Sequence, residues 1–332
     1  MRRAAGDPFG ERAGARWRAR FSVLGGEFSV ASTDAALLEV AADAFGGLPR
    51  HRLHRRSPRF DVRLVLTDSE STRAHGSVPP PPVLSAGEEL LCATIDAGTF
   101  AVIDIRTSRA LICASRAALQ DPYYARYELI ELAFLTLASR AQSLVPLHAA
   151  CVGANGKGVL LMGGSGTGKS TLSLHALAAG LQLLSEDSAF VALNGLRITG
   201  VANYLHLGPS ALGFLQPGDL RRSVERSPII RRRSGARKHE VDLRGLHGRI
   251  ARAPLRLAAT VFLSRRTAGR QPALRALERG ACLARLRREQ PYALAQGSWR
   301  EFERRVVDVP AYELRRTEHP DVAVQQLRDL LD

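Results

Sequence analysis

The sequence contains very little lysine: Lys157, Lys169 and Lys238 are the only three among 47 basic residues, and the other 44 are arginine. The basic residues outnumber 32 acidic ones and give a formal net charge of +15. Because so strong a preference for arginine is typical of a genome-wide composition bias, the charge is weak evidence for nucleic acid, which we do not expect as a partner. A lysine that persists in such a chain indicates a position where a compact, flexible ammonium is needed.

Long hydrophobic runs are also missing. No segment approaches the roughly 20 uninterrupted apolar residues of a membrane helix, and residues 1–21 are rich in arginine without the apolar core of a secretory signal. The sequence therefore predicts a soluble, cytoplasmic protein with no membrane partner.

Cysteine is scarce and scattered, at Cys92, Cys113, Cys151 and Cys282. The four lack the close paired spacing of a zinc site and are too few for a disulfide framework. They are expected to be reduced and mostly buried. With 332 residues and 45% apolar composition, the chain can form one large domain or two ordinary ones, which excludes disorder and coiled coil as overall descriptions.

Residues 1–145 are expected to form a smaller, mainly antiparallel β (α+β) domain. Alternating apolar residues predict strands over 20–30, 60–66, 89–95, 99–105 and 110–115. The four prolines within 77–82 indicate an exposed loop. A linking helix is predicted over 121–142, with one face formed by Tyr127, Ile130, Phe134, Leu137 and Ala141.

Residues 146–332 are expected to form an α/β domain, because strands and helices alternate closely there. The predicted strands cover 147–152, 158–162, 181–184, 190–193, 197–201 and 258–263. The predicted helices cover 169–179, 271–288 and 321–331.

A phosphate-binding motif lies between the predicted strand 158–162 and the helix that follows it. Its residues are Gly163, Gly164, Ser165, Gly166, Thr167, Gly168, Lys169, Ser170 and Thr171, which satisfy G-x-x-x-x-G-K-[ST]. Gly164, Gly166 and Gly168 are expected to let backbone N–H groups converge on a phosphate at the start of the helix. Lys169 would reach the β- and γ-phosphates of ATP, and the Ser170 hydroxyl would bind Mg²⁺.

Two adjacent acids, Glu186 and Asp187, follow the next predicted strand only seventeen and eighteen residues beyond Lys169. If the two strands are neighbours, these carboxylates lie beside the phosphates. One can then hold Mg²⁺ while the other accepts the proton of an attacking hydroxyl. The sequence leaves open which acid takes which role.

The order of these motifs resembles the catalytic domain of HPr serine kinase/phosphorylase, over residues 146–330. That resemblance implies a nucleotide-binding fold similar to that of phosphoenolpyruvate carboxykinase, and it matches His148, in Leu-His-Ala-Ala-Cys-Val, to the family's active-site histidine. It also matches Glu186 and Asp187 to a pair of aspartates, so the glutamate is a departure. Arg244, in Asp-Leu-Arg-Gly-Leu, matches the family's second signature, which implies an arginine near the phosphates; here His247 replaces a glycine of that signature. Lys238 ends a basic stretch that is either a solvated loop or a lid over nucleotide phosphates.

The sequence thus predicts a P-loop kinase domain of the HPr kinase/phosphoenolpyruvate carboxykinase type, using ATP and Mg²⁺ to phosphorylate a hydroxyl. The resemblance extends to enzymes that phosphorylate a serine of a precursor peptide, so a protein or peptide substrate is expected, and the first domain is a candidate for its recognition. The chain is compatible with a homo-oligomer. Two alternatives remain: a small-molecule kinase of the shikimate-kinase type, and a nucleotide-binding regulatory protein with little turnover.

Overall fold

The computed structural model describes residues 14–68, 78–246 and 249–332. These residues have a mixed α/β fold with three sheets. They divide into two units: the first comprises the described parts of Met1–Gly46 and Pro58–Ala141, and the second comprises Gly47–Ser57 and the described parts of Gln142–Asp332. Within the described residues, no helix combines the length and apolar character needed to cross a membrane.

The first unit contains one seven-stranded sheet. Its strands are β1 (Trp17–Val23), β2 (Gly26–Ser32), β3 (Arg59–Thr67), β4 (Val83–Ala86), β5 (Leu90–Asp96), β6 (Thr99–Asp104) and β7 (Arg109–Ser115). Their spatial order is β1-β2-β3-β7-β6-β5-β4. The predicted mainly antiparallel character is confirmed, since among the strand pairs in the described residues of this sheet only β2–β3 and β3–β7 are parallel.

The strand predicted over 20–30 is wrong, because the chain reverses within it. Leu24 and Gly25 both have positive φ, +47° and +82°, and they join β1 to β2 as an antiparallel hairpin. Two successive residues with positive φ form the kind of two-residue turn that suits the twist of paired strands. Alternation of apolar residues continues through such a turn, so periodicity alone does not reveal it.

Helices cover one face of this sheet. They are α1 (Ala35–Phe45), α2 (Arg116–Leu119), α3 (Pro122–Tyr124), a π-helical stretch (Ala125–Glu131) and α4 (Leu132–Ala141). Helix α1 was not predicted; the Asp34 carboxylate caps it by accepting from Ala36 N. On the predicted linking helix, Ile130, Phe134 and Leu137 are fully buried. Tyr127 is half-buried and Ala141 is exposed, so the predicted apolar face is too long.

Four aromatic residues form the centre of this core. The rings of Phe28 and Phe60, Phe28 and Phe134, and Phe45 and Phe134 have centroids 4.7, 4.7 and 4.8 Å apart. The described part of the predicted proline loop, 78–82, forms no strand and is mostly exposed, although Pro79 is buried; Ser77 lies outside the described residues.

The second unit is built on an eight-stranded sheet. Its strands are β8 (Val145–Ala154), β9 (Lys157–Met162), β10 (Gln182–Ser185), β11 (Ser188–Ala192), β12 (Arg197–Gly200), β16 (Leu255–Thr267), β17 (Leu274–Ala276) and β18 (Ala311–Arg316). A three-stranded sheet of β13 (Tyr204–Leu207), β14 (Ile229–Arg231) and β15 (Arg237–Asp242) was not predicted. The central β9 and β16 are parallel, as are β16 and β18.

The helices of this unit are α5 (Lys169–Ala178), α6 (Asp219–Arg226), α7 (Arg279–Glu289), α8 (Pro291–Leu294), α9 (Trp299–Val306) and α10 (Pro320–Asp329), with 3₁₀ turns at Asn194–Leu196 and Pro209–Phe214. The helix predicted over 271–288 is wrong in its first part, because Leu274–Ala276 pairs with β18 as a strand and α7 begins only at Arg279. The predicted helices 169–179 and 321–331 are confirmed to within two residues.

Alternate residues of the central strands bury into two separate cores. Val159 and Leu161 of β9 pack into a core with α5, α10 and the three-stranded sheet. Leu160 and Met162 pack into the opposite core with α7, α8 and α9. Because this sheet is covered on both faces, successive residues of β9 are apolar and buried from Gly158 to Met162, directly before the glycine loop. All four cysteines are free; Cys92 is half-buried and the others are buried, as predicted.

Candidate active site

Strand register brings the sequence-predicted site residues together. In β8, Ala149 pairs with Met162 on one side, so His148 lies level with the start of the glycine loop. On the other side His148 pairs with Ser188, the residue directly after Asp187. The loop, the histidine and the acidic pair are therefore neighbours, because the end of β9 and the beginning of β11 lie on either side of His148 in β8.

The loop Gly163–Gly168 joins β9 to α5 through unusual backbone conformations. Gly163, Gly166 and Gly168 have φ of +149°, +77° and +104°, a region that side chains rarely adopt. Gly164 was predicted to need this freedom, but its φ is not positive, and Gly163 takes that part. The Thr167 hydroxyl donates to Gly164 O at 2.9 Å and tightens the turn.

Lys169 lies at the N-terminus of α5 and is 8% exposed. Its Nζ donates to Gly163 O at 2.5 Å and is 3.1 Å from His148 Nε2. Burial lowers the pKa of Lys169, while the charges of Asp187 and Glu186 oppose that shift. The ammonium is therefore held with few fixed partners, and its charge is poorly compensated for a group so deeply buried.

His148 links the lysine to Asp187. An ammonium has only donors, so the Lys169 contact makes His148 Nε2 an acceptor and leaves the ring proton on Nδ1. That nitrogen faces Asp187 Oδ1 at 3.4 Å, and the two side chains are 50% and 27% exposed. Gln290 binds both backbone polar groups of His148, since its Oε1 accepts from His148 N at 2.7 Å and its Nε2 donates to His148 O at 3.2 Å.

Glu186 faces the opposite way and is almost completely buried. Its Oε1 accepts from the Ser170 hydroxyl at 2.7 Å. Its Oε2 lies 3.2 Å from His206 Nδ1, and His206 Nε2 lies 3.0 Å from Glu240 Oε1. Ionised carboxylates only accept hydrogen bonds, so an imidazole between two of them donates from both nitrogens and carries a positive charge.

Charge and hydrogen bonding outweigh burial in this cluster. Burial alone would raise the pKa of Glu186, but hydrogen bonding to His206, the charge of His206, the Ser170 hydroxyl and the charge of Arg232 together lower it. For His206, burial alone would lower the pKa because it disfavours the charged imidazolium. The hydrogen bonds to Glu186 and Glu240 outweigh burial and raise the pKa. The cluster therefore favours an ionised Glu186.

Two further cations, Arg232 and Lys238, lie near Glu186. The predicted basic stretch forms the hairpin of β14 and β15, closed by a turn in which Arg232 N donates to Ala236 O at 2.9 Å. Burial lowers the pKa of Lys238, as does the charge of Arg232, while Glu186 and Asp187 oppose the shift. The stretch is therefore a hairpin in which residues 231 and 233–237 are exposed to solvent; its role as a lid stays a prediction.

Arg244 is engaged within the three-stranded sheet. Its Nε and Nη2 donate to the two Asp242 oxygens at 2.8 and 2.7 Å, and Nη2 also donates to the Tyr204 hydroxyl at 2.8 Å. Its guanidinium stands 5.1 Å from the centre of the Tyr204 ring. These contacts hold it to β13 and β15, and the predicted contact with phosphate stays a prediction. His247 lies outside the described residues.

Sequence reasoning missed His206, Glu240 and Gln290. His206 is a single polar residue in the apolar run Tyr-Leu-His-Leu, whereas Glu240 and Gln290 follow other polar and charged residues. The available signal was a histidine on an apolar strand, which usually indicates only a packed core residue. The hydrogen bonds that place these residues at the site join partners 20, 34 and 142 positions apart in the sequence, which no local pattern reveals.

The donors next to the loop suit Mg²⁺. No group of three or more His, Cys, Asp or Glu side chains is arranged as a metal site within the described residues. Mg²⁺, however, is commonly held by one or two carboxylates together with substrate phosphates and water. The Ser170 hydroxyl and the ionised Glu186 are oxygen donors in mutual contact, so they fit such an ion.

A cavity of about 290 Å³ adjoins the loop and the start of α5. Its lining includes Thr167, Thr171 and Phe214, with Arg316 and Thr317 from the end of β18. The Phe214 ring is held edge-on by His175 and His319, at centroid distances of 6.2 and 5.6 Å. Aromatic and apolar walls with a few polar groups are typical of small-ligand sites.

The sequence matches no family model and no curated protein sequence. Among solved structures, the chain is similar to the Hpr(Ser) kinase/phosphatase from Coxiella burnetii, with 14% identity over 55% of this chain and 94% of that one. The TM-score of that match is 0.29.

Proposed function

We propose that the second unit catalyses ATP- and Mg²⁺-dependent phosphotransfer from the γ-phosphate to a hydroxyl, most specifically a serine of a small protein or precursor peptide. One observation carries the proposal. Lys169 and Ser170 are adjacent at the end of the glycine loop, and each lies on the side of a different acid of the Glu186–Asp187 pair. Ser170 bonds to Glu186, and Lys169 meets the His148–Asp187 pair. A phosphate-binding site with a metal side and an acceptor side follows from that division.

Phosphate binding is assigned to the loop amides and Lys169. The backbone N–H groups at the start of α5 lie at the positive end of the helix dipole, which favours an anion. Lys169 would exchange Gly163 O and His148 Nε2 for phosphate oxygens. A buried ammonium whose charge is poorly compensated gains more from a polyphosphate than an exposed one would.

The metal side is assigned to Ser170 and Glu186. Mg²⁺ bound there would neutralise charge developing on the β- and γ-phosphates. Both Glu186 oxygens already accept hydrogen bonds from Ser170 and His206, which makes this carboxylate a weak proton acceptor and a good fixed anion.

The acceptor side is assigned to Asp187 and His148. Asp187 is more exposed than Glu186, and its Oδ1 lies 3.4 Å from His148 Nδ1, so we assign it as the general base. The acceptor oxygen forms a bond to the γ-phosphorus, the bond from that phosphorus to the bridging oxygen breaks, and the hydroxyl proton passes to Asp187 as ADP leaves. Once Lys169 binds phosphate in place of His148, the histidine would keep its contact with Asp187 and orient that carboxylate.

The cavity beside Phe214 is proposed to hold the nucleoside. It is lined by Thr167 and Thr171, so it lies next to the loop that would hold the phosphates. The serine acceptor and its peptide context rest on the resemblance in motif order, and the first unit is proposed to recognise that substrate.

The test is transfer of label from γ-labelled ATP, with Mg²⁺, to peptides encoded beside the gene. Label on a peptide serine, lost in Lys169→Ala and Asp187→Asn, supports the proposal. Label that reaches only a metabolite supports the small-molecule kinase. Equal inactivity of the wild type and both variants with every acceptor, despite nucleotide binding, supports the regulatory protein.

A further inference from the structure

A buried line of three side chains begins at Glu186 and continues through His206 to Glu240. His206 on β13 stands between Glu186 and Glu240, with nitrogen–oxygen distances of 3.2 and 3.0 Å. All three side chains are at most 10% exposed. Two carboxylates and one imidazolium in such a setting are costly to desolvate, so this arrangement calls for an explanation beyond packing.

The strand pairing fixes this line geometrically. His206 pairs directly with Glu240 in the antiparallel β13–β15 ladder, and cross-strand partners present their side chains on the same face. Glu240 therefore anchors one edge of the imidazole and determines where its other edge points. That second edge meets Glu186 Oε2, while Glu186 Oε1 meets the Ser170 hydroxyl.

We infer that His206, anchored by Glu240, is a positioning residue that holds the Glu186 carboxylate against Ser170 as one preformed metal-binding pair. The inference rests on the proposed function, which assigns Glu186 and Ser170 to the metal side. A glutamate has one more rotatable bond than an aspartate, so without a fixed donor its carboxylate would sample orientations away from Ser170. His206 removes that freedom before the metal arrives.

Two substitutions separate positioning from packing. In His206→Asn the amide nitrogen occupies the place of Nδ1 and can still donate to Glu186. In His206→Gln the longer side chain carries its amide to the place of Nε2, so it keeps Glu240 and loses Glu186. Both variants exchange a buried imidazole for a neutral amide and give up one of two hydrogen bonds, so their structural costs are similar.

The readout is the affinity of the full chain for Mn²⁺, used as a probe for Mg²⁺, in the presence of a non-hydrolysable ATP analogue. Free Mn²⁺ is quantified by its electron paramagnetic resonance signal. Loss of an outer hydrogen bond to a metal ligand typically weakens metal affinity by about 10- to 100-fold. We expect His206→Gln to weaken Mn²⁺ binding at least about tenfold and His206→Asn to stay within about threefold of wild type. Binding of the analogue in EDTA should be unchanged in both.

His51→Asn is the matched control. His51 is also buried in the second unit, and its nitrogens bond to Thr199 Oγ1 at 2.7 Å and Ala251 O at 3.1 Å. It should lose stability without losing Mn²⁺ affinity. Equal Mn²⁺ affinity of His206→Gln and wild type, or equal losses in His206→Asn and His206→Gln, would overturn the inference while leaving the proposed function standing. A wild-type protein that binds no nucleotide would overturn both.

Discussion

Replacing Lys169 by methionine should separate ligand binding from folding. Methionine matches the aliphatic stem of lysine, so the volume beside Gly163 stays filled. The substitution removes an ammonium that burial already disfavours, as the lowered pKa of Lys169 indicates, and it also removes the bonds to Gly163 O and His148 Nε2. These opposing effects should nearly cancel, so we expect the unfolding midpoint to move by no more than about 3 °C.

Nucleotide affinity should respond very differently. Two unit charges about 4 Å apart attract by about 4 kcal/mol at an effective dielectric constant of ~20. Desolvation of the phosphate and the ammonium offsets part of this, leaving about 2–3 kcal/mol, which corresponds to about 30- to 150-fold weaker binding. The assay is anisotropy of a fluorescent ATP analogue with Mg²⁺, combined with thermal unfolding of the same samples.

Lys157→Met is the control, because Lys157 lies at the start of β9, is only half-buried and donates from its Nζ to Asp332 O at 2.7 Å. It should bind the analogue like the wild type. The reasoning is refuted if Lys169→Met binds within about threefold of wild type, or if it unfolds far below wild type, since the second result would make Lys169 a structural lysine.

Three further predictions concern the acceptor side, the cavity and pH. Asp187→Asn should lower the rate of phosphotransfer by about 10²- to 10⁴-fold, the usual contribution of a general base, with unchanged affinity for the ATP analogue; similar losses in both quantities would contradict the assignment. Phe214→Ala should weaken ATP binding by about tenfold, since stacking on an aromatic ring contributes about 1–3 kcal/mol per base, and should leave competition by inorganic tripolyphosphate unaltered, which a general loss of structure would not do. Burial lowers the pKa of His51 below its ordinary 6.5, against a bond to Ala251 O, so the unfolded chain binds the proton more readily and His51 should cost stability as pH falls below that value. The drop in unfolding midpoint between about pH 7.5 and 5.5 should be smaller in His51→Gln than in wild type, and an equal drop would show that His51 binds protons alike in the folded and unfolded chain.

The local parts of the site could be predicted from sequence. Strand β9, the glycine loop and α5 are contiguous, and their order of apolar run, glycines and helix specifies them. The acidic pair follows one strand later. The proximity of His148 to Asp187 could only be expected from the resemblance, because it depends on the β8–β11 register that pairs His148 with Ser188, and no local pattern sets that register.

The cluster around Glu186 could not be predicted in this way. His206 and Glu240 lie on short strands separated by a 3₁₀ turn, α6 and a hairpin, and short apolar segments do not reveal their partners. The same limitation explains the false start of the helix predicted over 271–288: Leu274–Ala276 becomes a strand because β18, almost forty residues later, offers it an edge.

The most direct test of the account follows the γ-phosphoryl group itself. ATP with three ¹⁸O atoms at the non-bridging γ positions is incubated with the wild-type protein, Mg²⁺ and the neighbouring precursor peptides, and the products are analysed by mass spectrometry. The account predicts ADP and a phosphoserine peptide that retains all three labelled oxygens, because the bond to phosphorus is broken on the side of the leaving ADP. Labelled inorganic phosphate with no modified peptide or metabolite would contradict the claim that this protein is a phosphotransferase to a hydroxyl acceptor.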